Sequence, residues 1–444
     1  MSHLFGTDGI RAVAGRYPLN HTSIYTLGKT LISIIKKESL SPKVIIGRDT
    51  RESGKWIEQS LIQGIHSKKG TAVSTGIIPT SAISYLTKKH HFSAGIVISA
   101  SHNPYKDNGI KIFSSDGKKI SKKWENIIDK SISLQKKEID KKNIDIIQDN
   151  TYSKEYRNFL KSRFSNISHK NNLSLVVDCS NGASSFYAPN IFSELGFQIK
   201  TIHTTPNGKN INKSCGTQHP EGLAKHVIEH NADIGIAYDG DADRAIWVDD
   251  QANILNGDHT LFVFSQFMKK KELLKSNYVV STKLSNIGLE KALNKMGIKL
   301  LRTPVGDKYV LEQMEKVQTN LGGEQSGHTI LLDECPTGDG ILTSLKMLEI
   351  LGEENKPLSK LVEDYQEYPQ IFYNVPVSQK KDFYKFPEIA DTIQNIKKKL
   401  EHSGRVEIRY SGTENLARIM VEGKDKNTIS SYGRQLVKVL KKHL

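Results

Sequence analysis

Cysteine is scarce: Cys179, Cys215 and Cys335 are the only three in 444 residues, spaced too widely for a disulfide framework or a zinc site. No apolar run reaches the ~18 residues a helix needs to span a bilayer. The first residues, MSHLFGTDGIR, lack the basic-then-apolar form of a secretory leader. These absences lead to the expectation of a reduced, cytoplasmic protein with no membrane partner. An aromatic-rich RNA-binding stretch and zinc-finger spacing are missing too, although the net charge is +15. The basic runs are short and scattered, at Lys36-Lys37, Lys136-Lys137, Lys269 to Lys271, Lys397 to Lys399 and Lys441-Lys442. A general lysine enrichment is therefore expected, with no nucleic-acid partner. The rival from another class, a basic nucleic-acid-binding protein, predicts strongly salt-dependent retention on DNA or RNA.

A chain of 444 residues is too long for one core and implies two to four domains with a cleft between them. Short β-branched runs at Val44 to Ile46, Ala94 to Ile98, Leu173 to Val177, Ile234 to Ala237 and Val279 to Ser281 read as strands. Amphipathic stretches lie between them, such as Trp56 to Ile65, so the architecture reads as α/β. The last stretch differs: Arg405 to Tyr410 and Ala417 to Val421 read as two strands, followed by a helix with Ile429, Tyr432, Leu436, Val439 and Leu440 on one face. Polar Lys136 to Asp149, the turn Asp249 to Asn253 and an extended linker from Tyr368-Pro369 to Pro376 mark boundaries. The division expected is 1–150, 151–250 and 251–367 as α/β domains and 368–444 as a smaller α+β domain. No internal repeat is found.

Four loops carry candidate chemistry. Ser99-Ala100-Ser101-His102-Asn103-Pro104 follows an apolar strand, so its hydroxyls fall at the carboxyl edge of a sheet, where α/β proteins bind ligands. Ser101 could act as nucleophile or phosphoryl carrier, with His102, Lys106 or Lys111 nearby to stabilise charge; alone, it reads equally as a serine capping a turn. Asp239-Gly240-Asp241-Ala242-Asp243-Arg244 also follows an apolar strand. Its three carboxylates repel one another unless a cation sits among them, and such hard oxygens suit Mg²⁺ or Ca²⁺. An EF-hand is excluded, because Arg244 stands where its glycine is required. A solvated acidic turn is the bland alternative.

Gly322-Gly323-Glu324-Gln325-Ser326-Gly327-His328 offers donors and acceptors matched to sugar hydroxyls, or simply a glycine turn. Arg409-Tyr410-Ser411-Gly412-Thr413-Glu414-Asn415 reads as an anion nest, with Arg418 a further candidate, or as a decorated hairpin loop.

Together these loops resemble, in order, the motifs of the α-D-phosphohexomutase superfamily, with Phe5 to Arg11, Gly47 to Arg51 and Thr303 to Lys308 extending the likeness over nearly the whole chain. The resemblance implies three α/β domains with mixed sheets and a smaller C-terminal α+β domain around a central cleft, one loop from each. It implies Mg²⁺ held by Asp239, Asp241, Asp243 and a phosphate on Ser101, and a phosphoryl transfer through phosphoserine and a sugar 1,6-bisphosphate. Gln325, where the phosphomannomutase/phosphoglucomutase branch has Met, and Asn210 to Asn212 followed by Cys215-Gly216 point to glucosamine 6-phosphate and glucosamine 1-phosphate as the hexosamine phosphate substrates, on the route to UDP-N-acetylglucosamine.

Arg11, Lys111 and His328 are then the candidates for proton transfer and transition-state charge, Lys111 as general base if its pKa is lowered. Arg244 would orient the phosphoserine, Glu324 and Ser326 would hold sugar hydroxyls, and Lys308, Arg409, Ser411, Gly412, Thr413 and Arg418 would contact substrate. Asn415 and Tyr410 depart from the family's usual Pro and smaller or basic residue, which bears on the stiffness of the phosphate loop. A homodimer is left open. Rival enzyme readings are a phosphomannomutase/phosphoglucomutase and a haloacid-dehalogenase-like phosphatase with Asp239 as nucleophile.

Overall fold

The computed structural model describes residues 3–135, 139, 145–165, 173–411 and 415–444; most of the polar Lys136 to Asp149 connection lies outside them. Four sheets follow one another along the chain, of six, five, four and three strands. In the first, the order is Phe5–Gly6, Gly9–Val13, Asp107–Ser114, Ala94–Ile98, Lys43–Arg48, Thr71–Ile77. Its last three strands are parallel and Asp107–Ser114 runs antiparallel to Ala94–Ile98, so the sheet is mixed. Ala94–Ile98 is buried at every position, the mark of a central strand covered on both faces.

The second sheet runs Ile254–Leu255, Ala245–Val248, Ile234–Tyr238, Ser174–Asp178, Gln198–Ile202. Ile254–Leu255 pairs with Ala245–Val248, which carries this sheet past the expected boundary at 250. The third runs Lys299–Thr303, Tyr278–Thr282, Leu321–Gly323, Thr329–Leu331. The strand readings at 44, 94, 173, 234 and 279 all fall within or against these sheets, because each is an apolar run bounded by turn residues.

The stretch read as a linker after Tyr368 behaves differently. Gln370–Pro376 is an edge strand of the fourth sheet, paired antiparallel with Leu416–Gly423 along its whole length, while Gly404–Tyr410 takes the other side. Phe372, Asn374 and Pro376 are exposed on alternate positions of this edge strand, and the flanking Pro369 and Pro376 give the stretch its linker-like look in the sequence.

Packing divides the molecule unevenly. One apolar core runs continuously from the first sheet's Ile45 and Val97 through Phe159 and Tyr187 to Trp247, Phe264 and Leu345. The fourth sheet and its helices Pro387–Leu400 and Lys426–His443 form a separate core of Val375, Ile393, Val406, Ile419 and Leu436. All three cysteines are free and buried, and no helix among the described residues is long and apolar enough to cross a membrane.

Candidate active site

Ser101 stands just beyond the buried strand Ala94–Ile98, is itself fully buried, and has φ of +54°. A left-handed backbone costs a residue with a Cβ about 1–2 kcal/mol, so something must hold it there. The Ser101 N–H donates to Ser99 Oγ at 2.8 Å. Its carbonyl accepts from Asn212 Nδ2 at 2.8 Å and Arg51 Nη2 at 3.2 Å. The same two donors reach the Asn103 carbonyl at 3.1 and 2.5 Å. Arg51 is anchored by a fully buried ion pair with Asp49 at 2.8 Å, and Ser99 Oγ donates to the same carboxylate at 2.6 Å. The Gly47 to Arg51 motif is thus a clamp under the serine loop, and Asn212 closes it from the second domain.

The acidic loop meets Ser101 from across that domain junction. Ser101 Oγ donates to Asp239 Oδ2 at 2.5 Å. Gly240 is required by the approach: a Cβ there would lie 2.6 Å from the Ser101 carbonyl oxygen. Thr80 Oγ1 donates to Asp241 Oδ2 at 2.5 Å. Asp239, Asp241 and Asp243 each offer an oxygen within 4.8 Å of the others. Burial, then the charges of Asp243 and Asp241, push the Asp239 carboxyl well above its ordinary value. Asp241 Oδ1 and Asp243 Oδ1 are buried with no hydrogen-bond partner. Converging, under-satisfied hard oxygens are what a divalent cation satisfies, so the donor set fits Mg²⁺.

Lys111 sits among these carboxylates, its Nζ 2.9 Å from Asp241, 2.9 Å from Asp243 and 3.2 Å from Asp8. Burial alone would lower its pKa, but Asp241, Asp243 and Asp8 outweigh burial and hold it well above the ordinary lysine value. The condition for Lys111 as general base, a lowered pKa, is therefore not met; the side chain is a fixed positive charge. Asp243 responds in the opposite sense: burial opposes ionisation, but Lys111, His328 and Arg244 hold its carboxyl well below the usual range.

His102 also departs from expectation. Burial, then the charges of Arg244 and Arg11, lower it to about 3, so it is neutral and contributes no charge; its Nδ1 lies 3.2 Å from Ser101 Oγ. For His328, burial is outweighed by Asp243, Asp307 and Glu324, which raise its pKa. Yet the Gly338 N–H donates to His328 Nε2 at 2.9 Å, which only an unprotonated nitrogen accepts. The proton therefore sits on Nδ1, 3.7 Å from Asp243 Oδ1. Its basic nitrogen is thus engaged rather than free for proton transfer. Arg11 pairs with Asp8 beside this group.

Above them opens a cleft of about 450 Å³ lined by Arg11, His102, Asp243, Arg244, Glu324, Ser326, His328, Arg409 and Arg418. Four predicted loops from four sheets therefore converge. Glu324 Oε1 accepts the Gly306 N–H at 3.1 Å, and burial raises its pKa against His328 and Arg244. Arg409 and Arg418 are direct cross-strand partners in the fourth sheet. Burial, then Arg418, depress Arg409 below its ordinary value. Both guanidiniums line the cleft, where they present positive charge to an anion.

Not every expected residue arrives. Lys308 turns out of the cleft, its Nζ 3.9 Å from Glu125 in a neighbouring cavity. Ser411 is buried, with its N–H on the Leu416 carbonyl at 2.8 Å and its carbonyl on Lys380 Nζ at 2.7 Å. Gly412 and Thr413 lie outside the described residues. Tyr410 stacks on Phe383 with ring centroids 4.3 Å apart and donates to the Lys381 carbonyl at 2.5 Å, so this departure from the family pattern ties the end of Gly404–Tyr410 to the segment before Pro387. Sequence reading assigned no role to Asn212, Arg51, Asp49 or Thr80. The Asn210 to Asn212 and Gly47 to Arg51 motifs were visible, but their partners are mostly backbone atoms or distant loops.

Family models described as phosphoglucomutase/phosphomannomutase domains I, II and III and the C-terminal domain match residues 2–138, 151–252, 256–368 and 373–439. The phosphoglucosamine mutase of Syntrophus aciditrophicus is 42% identical over 449 residues, covering 100% of both chains. A phosphoglucomutase/phosphomannomutase family structure from Burkholderia thailandensis has a TM-score of 0.80 at 21% identity, covering 100% of this chain and 99% of that one. Aspergillus fumigatus N-acetylphosphoglucosamine mutase, solved in complex with GlcNAc-6P and magnesium, has a TM-score of 0.69 at 17% identity, covering 99% and 96%. At those identities the two structures support the fold alone. With the full-length relative and the four domain matches, the chain belongs to the phosphoglucosamine mutase family of the α-D-phosphohexomutase superfamily.

Proposed function

We propose that this chain interconverts glucosamine 6-phosphate and glucosamine 1-phosphate, with Ser101 as the phosphoryl carrier and glucosamine 1,6-bisphosphate as intermediate. The observation that carries the reading is the meeting of Ser101 Oγ with Asp239 Oδ2 at 2.5 Å, across two domains and 138 positions of sequence. An aspartyl-phosphatase reading leaves the clamp on Ser101 and the paired arginines without a purpose.

Phosphoryl transfer asks mainly for positioning and charge stabilisation. Asp239, Asp241 and Asp243, with the phosphate on Ser101, would hold Mg²⁺, which when bound neutralises charge on the transferring group. Lys111, kept protonated by its carboxylates, adds a fixed positive charge at the same place. When the Ser101 hydroxyl attacks the returning phosphate, the acceptor at hand for its proton is Asp239 Oδ2, at 2.5 Å. Arg244 and Arg11 flank the cleft floor to orient the phosphoserine. Glu324 and Ser326 grip sugar hydroxyls, and Arg409 with Arg418 grips the phosphate that is not reacting. The free, buried cysteines support a reducing, cytoplasmic setting.

The test is the rate on glucosamine, glucose and mannose phosphates, with Ser101→Ala beside the wild type. The highest kcat/KM on the glucosamine phosphates and no turnover by Ser101→Ala are expected. Full activity of Ser101→Ala with a bisphosphate activator present would falsify the scheme.

A further inference from the structure

The chain crosses from the third sheet to the fourth at Tyr368–Pro369, and a buried polar node surrounds the crossing. Glu422, in the strand Leu416–Gly423, is fully buried. Its Oε1 accepts the Ile287 N–H at 2.5 Å and its Oε2 accepts from Arg405 Nε at 2.8 Å. Arg405 Nη2 continues to the Ser285 carbonyl at 2.7 Å, and Gln370 Nε2 donates to the Leu284 carbonyl at 3.0 Å. Three side chains of the fourth domain thus hold one short loop of the third. Asn286 answers from inside that loop, accepting the Tyr368 N–H at 3.0 Å and donating to the Tyr368 carbonyl at 2.8 Å. The chain leading to the crossing packs close on that loop: a Cβ on Gly288 would lie 2.0 Å from the Gln366 carbonyl oxygen.

One more contact ties this node to the sugar loop. Gln325 Nε2 donates to Gln370 Oε1 at 2.9 Å. The direction is set by the neighbours, because Gln370 must present its NH₂ to the Leu284 carbonyl and so turns its oxygen toward Gln325. Gln325 stands between Glu324 and Ser326, which line the cleft, and Leu284 lines the same cleft beside Arg409 and Arg418. The hydrogen bond therefore joins the loop placed to grip the sugar to the domain placed to grip the distant phosphate.

We propose that Gln325 is a positioning residue for the mutase reaction: its amide sets the sugar loop and the fourth domain in register through Gln370. The inference rests on the mutase reading above. That reaction needs the two grips coordinated, since a bisphosphate must turn over in the cleft without leaving it. With the register loosened, each grip still forms but the intermediate escapes more often.

The test uses the full chain with Gln325→Met, Gln370→Met and both together. Gln325→Met keeps the side chain's length and removes the donor. It lowers kcat/KM on glucosamine 6-phosphate about three- to tenfold, the range for one lost hydrogen bond. It also raises the share of 1,6-bisphosphate released per turnover, while the melting temperature holds. In the Gln370→Met background, adding Gln325→Met changes neither quantity further. Additive losses, or unchanged bisphosphate release, would overturn the proposal and leave Gln325 as part of the sugar loop alone. Hydrogen exchange gives a reading independent of turnover. The Ile287 amide, held by Glu422, exchanges faster in resting Gln325→Met than in wild type, and equal rates would equally overturn it. A wild-type chain inactive on glucosamine phosphates would fail the functional reading, whereas unchanged exchange would fail this one.

Discussion

The two ends of the cleft are built on opposite plans. At the Ser101 end, loops of the first and second domains interlock: Arg51 and Asn212 on the Ser101 and Asn103 carbonyls, Thr80 on Asp241, Ser101 on Asp239. A continuous apolar core lies behind them. At the phosphate end, Arg409 and Arg418 sit on a domain with its own core, which meets the third domain through the Glu422 and Gln370 node. The reacting groups are thus fixed, while the binding charges ride on a separately packed unit. The proposed transfer, recurring at one serine with the sugar in two orientations, calls for that division.

The comparison breaks first at Lys111. Lys111→Met leaves Asp8, Asp241 and Asp243 facing one another without the ammonium. Loss of one partner from a buried ionic group costs about 3–5 kcal/mol, readable in denaturant unfolding, and activity falls on the order of a hundredfold as a transition-state charge is lost. The next effect belongs to the other end. Arg409→Ala raises KM for sugar phosphates about ten- to hundredfold, the equivalent of charged hydrogen bonds, with kcat little changed. Its resting stability changes little, because Arg409 is only partly buried on the cleft wall. Steady-state kinetics and thermal melts on one preparation check both halves of that statement.

Asn212→Ala comes third. It strips two carbonyls of a donor, so we expect a loss of about 1–3 kcal/mol in stability and a fall in kcat of about tenfold, with KM nearly constant. A change confined to KM would contradict the clamp. The smallest effect is a pH dependence near the Tyr368–Pro369 crossing. Burial carries Asp258, whose Oδ2 accepts the Asn286 N–H at 2.8 Å, from 3.8 to about 7. The unfolded chain ionises this group above 3.8, whereas the folded chain keeps it protonated until about 7. Its contribution is therefore present below the lower value and is lost as pH rises through the window between them. Asp258→Asn flattens that slope, and unfolding midpoints taken on either side of the window measure it.

Much of the fold was legible because its central strands are uninterrupted apolar runs ending in turn residues, as at Ile98 before Ser99 and Tyr238 before Asp239. The four loops were legible for the same reason, since unusual polar residues at strand ends stand out. Other features left little trace. Gln370–Pro376 is solvent-facing on alternate positions and passes for a linker. Lys308 has the motif of a ligand residue, but its side chain follows its helix toward Glu125. The charge states of Lys111, His102 and His328 depend on neighbours that only folding assembles. Lys111 reads as a base until three carboxylates 103 to 132 positions away surround it.

The central claim is that Ser101 carries the phosphoryl group. Peptide mapping by mass spectrometry, after incubation of the chain with glucosamine 1,6-bisphosphate and Mg²⁺, tests it most directly. A single phosphate on the peptide containing Ser101, removed by excess glucosamine 6-phosphate, is the expected result. An acyl phosphate on Asp239, or no covalent phosphate while turnover proceeds, would contradict it.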